Sequence, residues 1–109
     1  MKKLLFICSQ NKLRSPTAEA IFSEYEGLEV ESAGLNNGAE VPVSVEAIER
    51  ADVIFVMEKA HRSKLSKKFK PYLKGKRVIC LDIPDEYDYM DADLINLLKT
   101  KVQHVLGTF

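Results

Sequence analysis

Tryptophan is absent from these 109 residues, and cysteine occurs only twice, as Cys8 and Cys80. Two cysteines make no disulfide framework, and free thiols fit a reducing compartment, so a cytoplasmic location is expected. Long hydrophobic runs are also missing. The apolar stretch behind Lys2-Lys3 runs only from Leu4 to Cys8 before polar Ser9. That is too short for the core of a signal peptide, and nothing approaches the length of a membrane span. Neither sign of charge prevails, since Lys+Arg and Asp+Glu number 16 each. No overall field therefore draws the chain to nucleic acid or anionic lipid, and neither is expected as a partner. No spacing of His, Cys, Asp and Glu has the pattern of a metal site, so neither metal nor organic cofactor is expected. Repeats, low-complexity tracts and linkers are lacking too, which leaves a single domain over residues 1–109 with one hydrophobic core.

What is present alternates. Leu4 to Cys8 and Val53 to Met57 are solidly apolar, as strands buried on both faces are. Leu28 to Leu35 and Val78 to Leu81 are two further strand candidates. Ser15-Pro16 reads as an N-cap followed by proline at the first helical position. Ala18, Ile21, Phe22 and Tyr25 then recur at helical spacing up to Gly27. Ser44 to Arg50 predicts a short helix, and Ala60 to about Tyr72 a basic one broken near Pro71. From Ala92 the positions Leu94, Leu97, Leu98, Val102 and Val105 form the clearest helical stripe, ended by Gly107. The order β-α-β-α-β-α-β-α predicts an α/β fold, a four-stranded parallel sheet with helices on both faces. In such sheets ligands bind beyond the carboxyl ends of the strands. Cys8 to Arg14 and Asp82 to Asp91 both lie at such ends, so they are expected to meet. The lysine-rich stretch from Lys64 to Arg77 reads as a solvated face.

The chemistry is concentrated in Cys8-Ser9-Gln10-Asn11-Lys12-Leu13-Arg14-Ser15. Main-chain N–H groups in a strand-loop-helix turn converge into a nest, and the helix N-terminus adds its positive end. Arg14 contributes a planar fork that grips two oxygens at once. The expected ligand is a phosphate dianion, with inorganic phosphate or sulfate as simple occupants. The same field favours an anionic sulfur on Cys8, placed for in-line attack on phosphorus to give a thiophosphate.

These residues resemble the low-molecular-weight protein tyrosine phosphatase family, whose loop reads Cys-x5-Arg-Ser followed by Pro and an Ala-Glu pair, here Pro16 and Ala18-Glu19. Asn11 matches the family's loop asparagine, and Glu31-Ser32-Ala33-Gly34 is similar to the element whose serine supports it. Ala51 to Met57 with His61-Arg62 is similar to the family's third strand and following helix. The resemblance implies the family's three-layer sandwich and a phosphatase for protein phosphotyrosine or similar aryl phosphates. It implies Cys8 as nucleophile, Arg14 as phosphate ligand, Ser32 in support, and Asp85 of Ile83-Pro84-Asp85 as general acid. Leu13 stands where the family has a second loop cysteine, Lys12 where it has a hydrophobic residue or threonine, and Glu86 where a proline follows the acid. The chain is also shorter than the family's members, between Leu35 and Ala51.

Asp82 follows its strand closely, and Asp91 reads as a helix cap. Asp85 is the preferred acid, with Asp88 the alternative because Tyr87 and Tyr89 flank it and offer an aromatic wall. His61 and His104 read as helix-surface residues, and Cys80 as a small core residue. Two rivals stay open: an arsenate reductase or a phosphatase for another phosphorylated side chain, and a non-catalytic phosphate-binding module.

Overall fold

The apolar run that opens the chain lies inside the sheet, with a neighbour on each side. In the computed structural model, which describes residues 2–107, this strand is β1, Lys2–Cys8. Met1, Thr108 and Phe109, the ends of the expected 1–109 domain, lie outside the described residues. The chain continues through α1 (Arg14–Phe22), β2 (Leu28–Gly34), α2 (Val45–Arg50), β3 (Val53–Val56), α3 (Lys59–Leu73), β4 (Arg77–Cys80) and α4 (Ala92–Leu106). All strands pair in parallel in the order β2-β1-β3-β4. The expected alternation and four-stranded parallel sheet are both observed. Among the described residues no helix is long and apolar enough to cross a membrane.

Alternation along β1 explains why the strand reads as continuously apolar. Leu4, Phe6 and Cys8 join one core with Phe22, Phe55, Leu94 and Leu98, under α1 and α4. Leu5 and Ile7 join the other with Ile48, Ile54, Val56 and Leu65, under α2 and α3. Both faces are covered, so both sets must be apolar. Phe6 stacks between Phe22 and Phe55, at ring-centroid distances of 5.5 and 4.9 Å. Each such ring contributes about 1.5–3 kcal/mol by leaving water.

From β1 the chain moves to β2 on one side, and β3 then lies on the other. The direction of winding therefore reverses between β1 and β3, and loops leaving their carboxyl ends diverge around a crevice. Beyond β3, Met57 stays in the core while Glu58 reaches Arg14 at the start of α1.

One local expectation is corrected. Helix α1 begins at Arg14, and its N-cap Leu13 supplies no side-chain hydrogen bond. Ser15 does not cap because its hydroxyl is engaged with Cys8 and Asn11 instead. Pro16 is tolerated as the third residue of α1, inside the first turn, where its missing N–H would lack a helical partner anyway. Helix α3 is interrupted near Pro71 as expected, with Phe69 leaving helical geometry at φ −129°, ψ 20° two residues ahead of the proline, so that two helical pieces meet at a kink. Asp91 caps α4 as expected, accepting from the amides of Asp93 and Leu94 at 2.8 and 3.4 Å.

Candidate active site

Cys8 is the last residue of β1 and is 4% exposed. Beyond it the chain must reverse tightly to enter α1, and Asn11 makes the reversal at φ 58°. Asparagine tolerates this left-handed conformation better than most residues. The turn aims the Asn11 amide N–H at the Cys8 sulfur, 3.3 Å away. Ser15 Oγ lies 2.9 Å from the same sulfur. Asn11 Nδ2 donates to Ser15 Oγ at 3.1 Å and to Ser32 Oγ at 2.9 Å. Ser32 in turn donates to Glu19. The Ser15 hydroxyl accepts from Asn11 and has two acceptors in reach of its own hydrogen, the Cys8 sulfur at 2.9 Å and the Ala33 carbonyl at 3.5 Å. The Cys8 sulfur thus accepts from the Asn11 amide and shares a hydrogen bond with Ser15, inside a network that reaches from β1 to α1 and β2.

The loop passes close over β2. A Cβ placed on Gly34 would lie 2.6 Å from Ala39 Cβ, 2.7 Å from Ser9 O and 2.9 Å from Asn11 N. Only glycine leaves room for the turn there. Within the loop, the amides of Gln10, Lys12, Leu13, Arg14 and Ser15 have no acceptor among the described residues. Main-chain N–H groups are normally paired, and a row left open beside a helix N-terminus has the donors an anion can accept from.

Arg14 opens α1 and is 3% exposed. Its Nη1 donates to Glu58 Oε2 at 2.6 Å and to the Ile83 carbonyl at 2.7 Å. Asp85 Oδ1 lies 3.8 Å from Arg14 Nε, on a side chain that is 64% exposed. Cys8, Ser9, Gln10, Lys12, Leu13, Arg14 and Asp85 line one cavity of about 170 Å³. The two segments expected to meet, after β1 and after β4, do meet here.

Asn11, Ser15 and Ser32 stand behind this cavity rather than in its wall. Tyr87 packs against the core under α1 and α4, and neither it nor Asp88 lines the cavity. The expected aromatic wall is therefore not formed by Tyr87, whose ring covers apolar surface. Tyr89 is exposed.

Two further residues stand beside the loop. No catalytic motif in the sequence marks Glu58, and His61, expected on a helix surface, is 5% exposed. Glu58 is the N-cap of α3, and its side chain and that of His61 form a reciprocal capping box. The Glu58 amide donates to His61 Nδ1 at 3.2 Å, so Nδ1 accepts and Nε2–H donates to Ser9 Oγ, 2.9 Å away. Burial lowers the His61 pKa and the Arg14 guanidinium lowers it further, while Glu58 opposes them. His61 therefore stays neutral and leaves the Ser9 hydroxyl hydrogen free. The detectable signal was Glu-x-x-His directly after β3, a helix-start spacing placed beside β1.

Cys80 lies at the end of edge strand β4, partly exposed, where burial raises its thiol pKa. Its sulfur donates to Asp82 Oδ1 at 3.4 Å. It lines a different cavity from Cys8. Among the described residues no group of three or more His, Cys, Asp or Glu side chains is placed to hold a metal ion.

The model of the family described as low molecular weight phosphotyrosine protein phosphatase matches residues 3–48, which include β1, the whole loop and β2. No curated protein matches. Among solved structures, a low molecular weight protein tyrosine phosphatase from Streptococcus pyogenes has a TM-score of 0.81 at 17% identity, with 98% of this chain and 92% of that chain covered. A mutant of YwlE from Bacillus subtilis gives 0.74 at 23% identity, with 99% and 100% covered. The YwlE arginine phosphatase from Geobacillus stearothermophilus gives 0.72 at 19%, with 100% and 99% covered. The α/β fold is that of these structures, and the resemblance read from Cys8 to Glu19 holds. The family match covers the loop, and the neighbours share the fold.

Proposed function

We propose that this chain, with the loop motif and fold of the low-molecular-weight protein tyrosine phosphatases, hydrolyses phosphotyrosine in proteins or similar aryl phosphate monoesters. One domain carries the reaction, and the cytoplasm supplies the reducing conditions Cys8 needs. The observation that supports this reading is a row of loop amides without acceptors beside a sulfur that accepts from the Asn11 amide and shares a hydrogen bond with Ser15. Such a row holds the three equatorial oxygens of a phosphoryl group and strengthens as charge spreads over them. Arg14 takes two of those oxygens side-on.

The Cys8 sulfur attacks phosphorus in line, an S–P bond forms, and the bond from phosphorus to the aryl oxygen breaks. Asp85, at the cavity mouth, gives its proton to the departing oxygen. Unassisted, that leaving group is a phenolate whose conjugate acid has a pKa of about 10, so protonation contributes roughly 10²–10⁴ in rate. A water then attacks the thiophosphate while the Asp85 carboxylate takes its proton. Inorganic phosphate leaves and the sulfur is restored.

A second reading, phosphoarginine hydrolysis, is supported by the arginine phosphatase among the neighbours. Lys12 bears against it. Its side chain is exposed on the cavity rim with no partner among the described residues, where it repels a cationic guanidinium.

The test compares wild type, Cys8→Ser and Asp85→Asn on a chromogenic aryl phosphate, with phosphotyrosine, phosphoarginine and phosphoserine peptides in parallel. Cys8→Ser is expected to bind phosphate with no measurable turnover. Asp85→Asn is expected to lose about 10²-fold or more in kcat on aryl phosphates. Full activity in Asp85→Asn would move the acid role to Asp88. Phosphoarginine hydrolysed faster than phosphotyrosine would establish the second reading.

A further inference from the structure

Charge is balanced over the whole chain but not along it. Residues 59–77 hold nine of the sixteen Lys and Arg and none of the sixteen Asp and Glu. Four of the nine turn to neutral oxygens. Arg62 donates to the Val78 carbonyl, Lys64 to Asn36 Oδ1, Lys68 to the Leu35 carbonyl, and Lys76 to the carbonyls of Glu49 and Ala51. The side chains of the other five have no hydrogen bond or ion pair among the described residues. Exposed helices commonly lace their lysines with acids one turn away, and like charges at that spacing are destabilising. Lys64 and Lys68, Lys67 and Lys70, and Lys70 and Lys74 stand at such spacings with no acid among them. The repulsion is not relieved from within the chain.

We propose that the outer stripe of α3, Lys59, Lys67, Lys70 and Lys74, is a docking track for an acidic segment of the phosphorylated protein. The identity of the occupant rests on the proposed function, whereas the charge of the track does not. All four lysines are exposed, on the side of the helix away from buried His61 and Leu65. Lys59 directly follows Glu58, whose carboxylate holds Arg14 at 2.6 Å, so the track begins beside the cavity. Lys64 flanks it and binds Asn36, whose amide donates to the Ser9 carbonyl. The field of the helix reaches the loop: after burial and Arg14, Lys64 also lowers the pKa of His61, against the opposing pull of Glu58. From Lys59 to Lys74 the helix runs about 22 Å, the reach of about seven residues of extended chain. Ser63 and Ser66, exposed between the lysines, offer neither an apolar side chain to lipid nor a ring to a nucleic-acid base. Carboxylates on an extended peptide complement the stripe.

The test uses phosphotyrosine peptides with about four glutamates within about seven residues of the phosphate, on either side, and their glutamine counterparts. Wild type is expected to prefer the acidic peptides by about 10-fold in kcat/KM, through KM, and to lose the preference at about 0.5 M salt. Lys67→Glu combined with Lys74→Glu should reduce the preference to about 2-fold or less. Turnover of a small aryl phosphate should stay as in wild type. The melting temperature should not fall, because the new acids stand three and four positions from Lys64 and Lys70. A stripe that is merely solvated would give wild type no peptide preference, and that result would overturn the assignment. So would a preference that survives the double substitution, or tighter binding to vesicles of equal phosphatidylserine and phosphatidylcholine than to the acidic peptides. Calorimetry with Cys8→Ser separates this proposal from the proposed function. Absence of turnover in wild type, with acidic-peptide binding that the double substitution abolishes, would end the hydrolytic reading and keep this one. Normal turnover with no effect of the glutamates would do the reverse.

Discussion

Asn11 and Gly34 face each other where the loop turns over the sheet, and neither role passes to another residue without cost. Asn11 supplies a left-handed backbone and a side-chain amide that joins Ser15 to Ser32. Gly34 supplies space, and two of the three atoms a Cβ would meet are backbone. Backbone cannot rotate aside as a side chain can, so Gly34→Ala must lift the loop. It is expected to cost about 1–3 kcal/mol, the usual penalty of overpacking. Turnover should fall with it by about 10-fold or more, because small misplacements of catalytic groups are amplified. Urea denaturation and aryl phosphate kinetics check both. At this scale the sequence was most legible where chemistry sits in consecutive residues. Cys8, Asn11, Arg14 and Ser15 fall within one turn of chain. Glu58 reaches Arg14 across 44 positions, and His61 reaches Ser9 across 52. No periodicity records a contact between loops of different strands.

Elements were legible wherever one rule governed them. Runs buried on both faces gave β1 and β3, and the stripe from Leu94 to Val105 gave α4. Asp91 was readable as the cap of α4 because capping depends on residues two and three positions ahead. Replacing it with alanine removes two accepted hydrogen bonds and should destabilise the protein by about 1 kcal/mol, read as a lower urea midpoint at unchanged m-value. The start of α1 was misplaced because two demands compete for Ser15. Local propensity offers it to the helix as a cap, while the sulfur and Asn11 claim the same hydroxyl. The site prevails, and α1 begins without a side-chain cap.

Across the whole molecule, parallel pairing followed from the alternation of strands and helices, but strand order did not. The order β2-β1-β3-β4 places the start of α3 against the phosphate loop, and this juxtaposition makes a buried histidine part of the fold. The folded-state pKa of His61 lies below the ordinary 6.5, burial being the first cause and the Arg14 charge the second. The unfolded chain therefore binds a proton more readily than the folded one. Its contribution to stability is intact above about pH 6.5 and is lost as pH falls below that value towards the lower folded pKa. Protonation would also place a hydrogen on Nδ1, against the Glu58 amide that now donates to it. The urea midpoint of wild type should fall more steeply between about pH 7.5 and 5.5 than that of His61→Asn, which cannot charge. Parallel curves would remove His61 from the acid response.

Everything in the account converges on phosphorus bonding to one sulfur. The direct measurement is acid quenching of wild type during turnover of an aryl phosphate, followed by peptide mass spectrometry. The account predicts a phosphoryl adduct on the peptide that carries Cys8, appearing within the first turnover and absent after the thiol is alkylated. Continued turnover with Cys8 alkylated would contradict it.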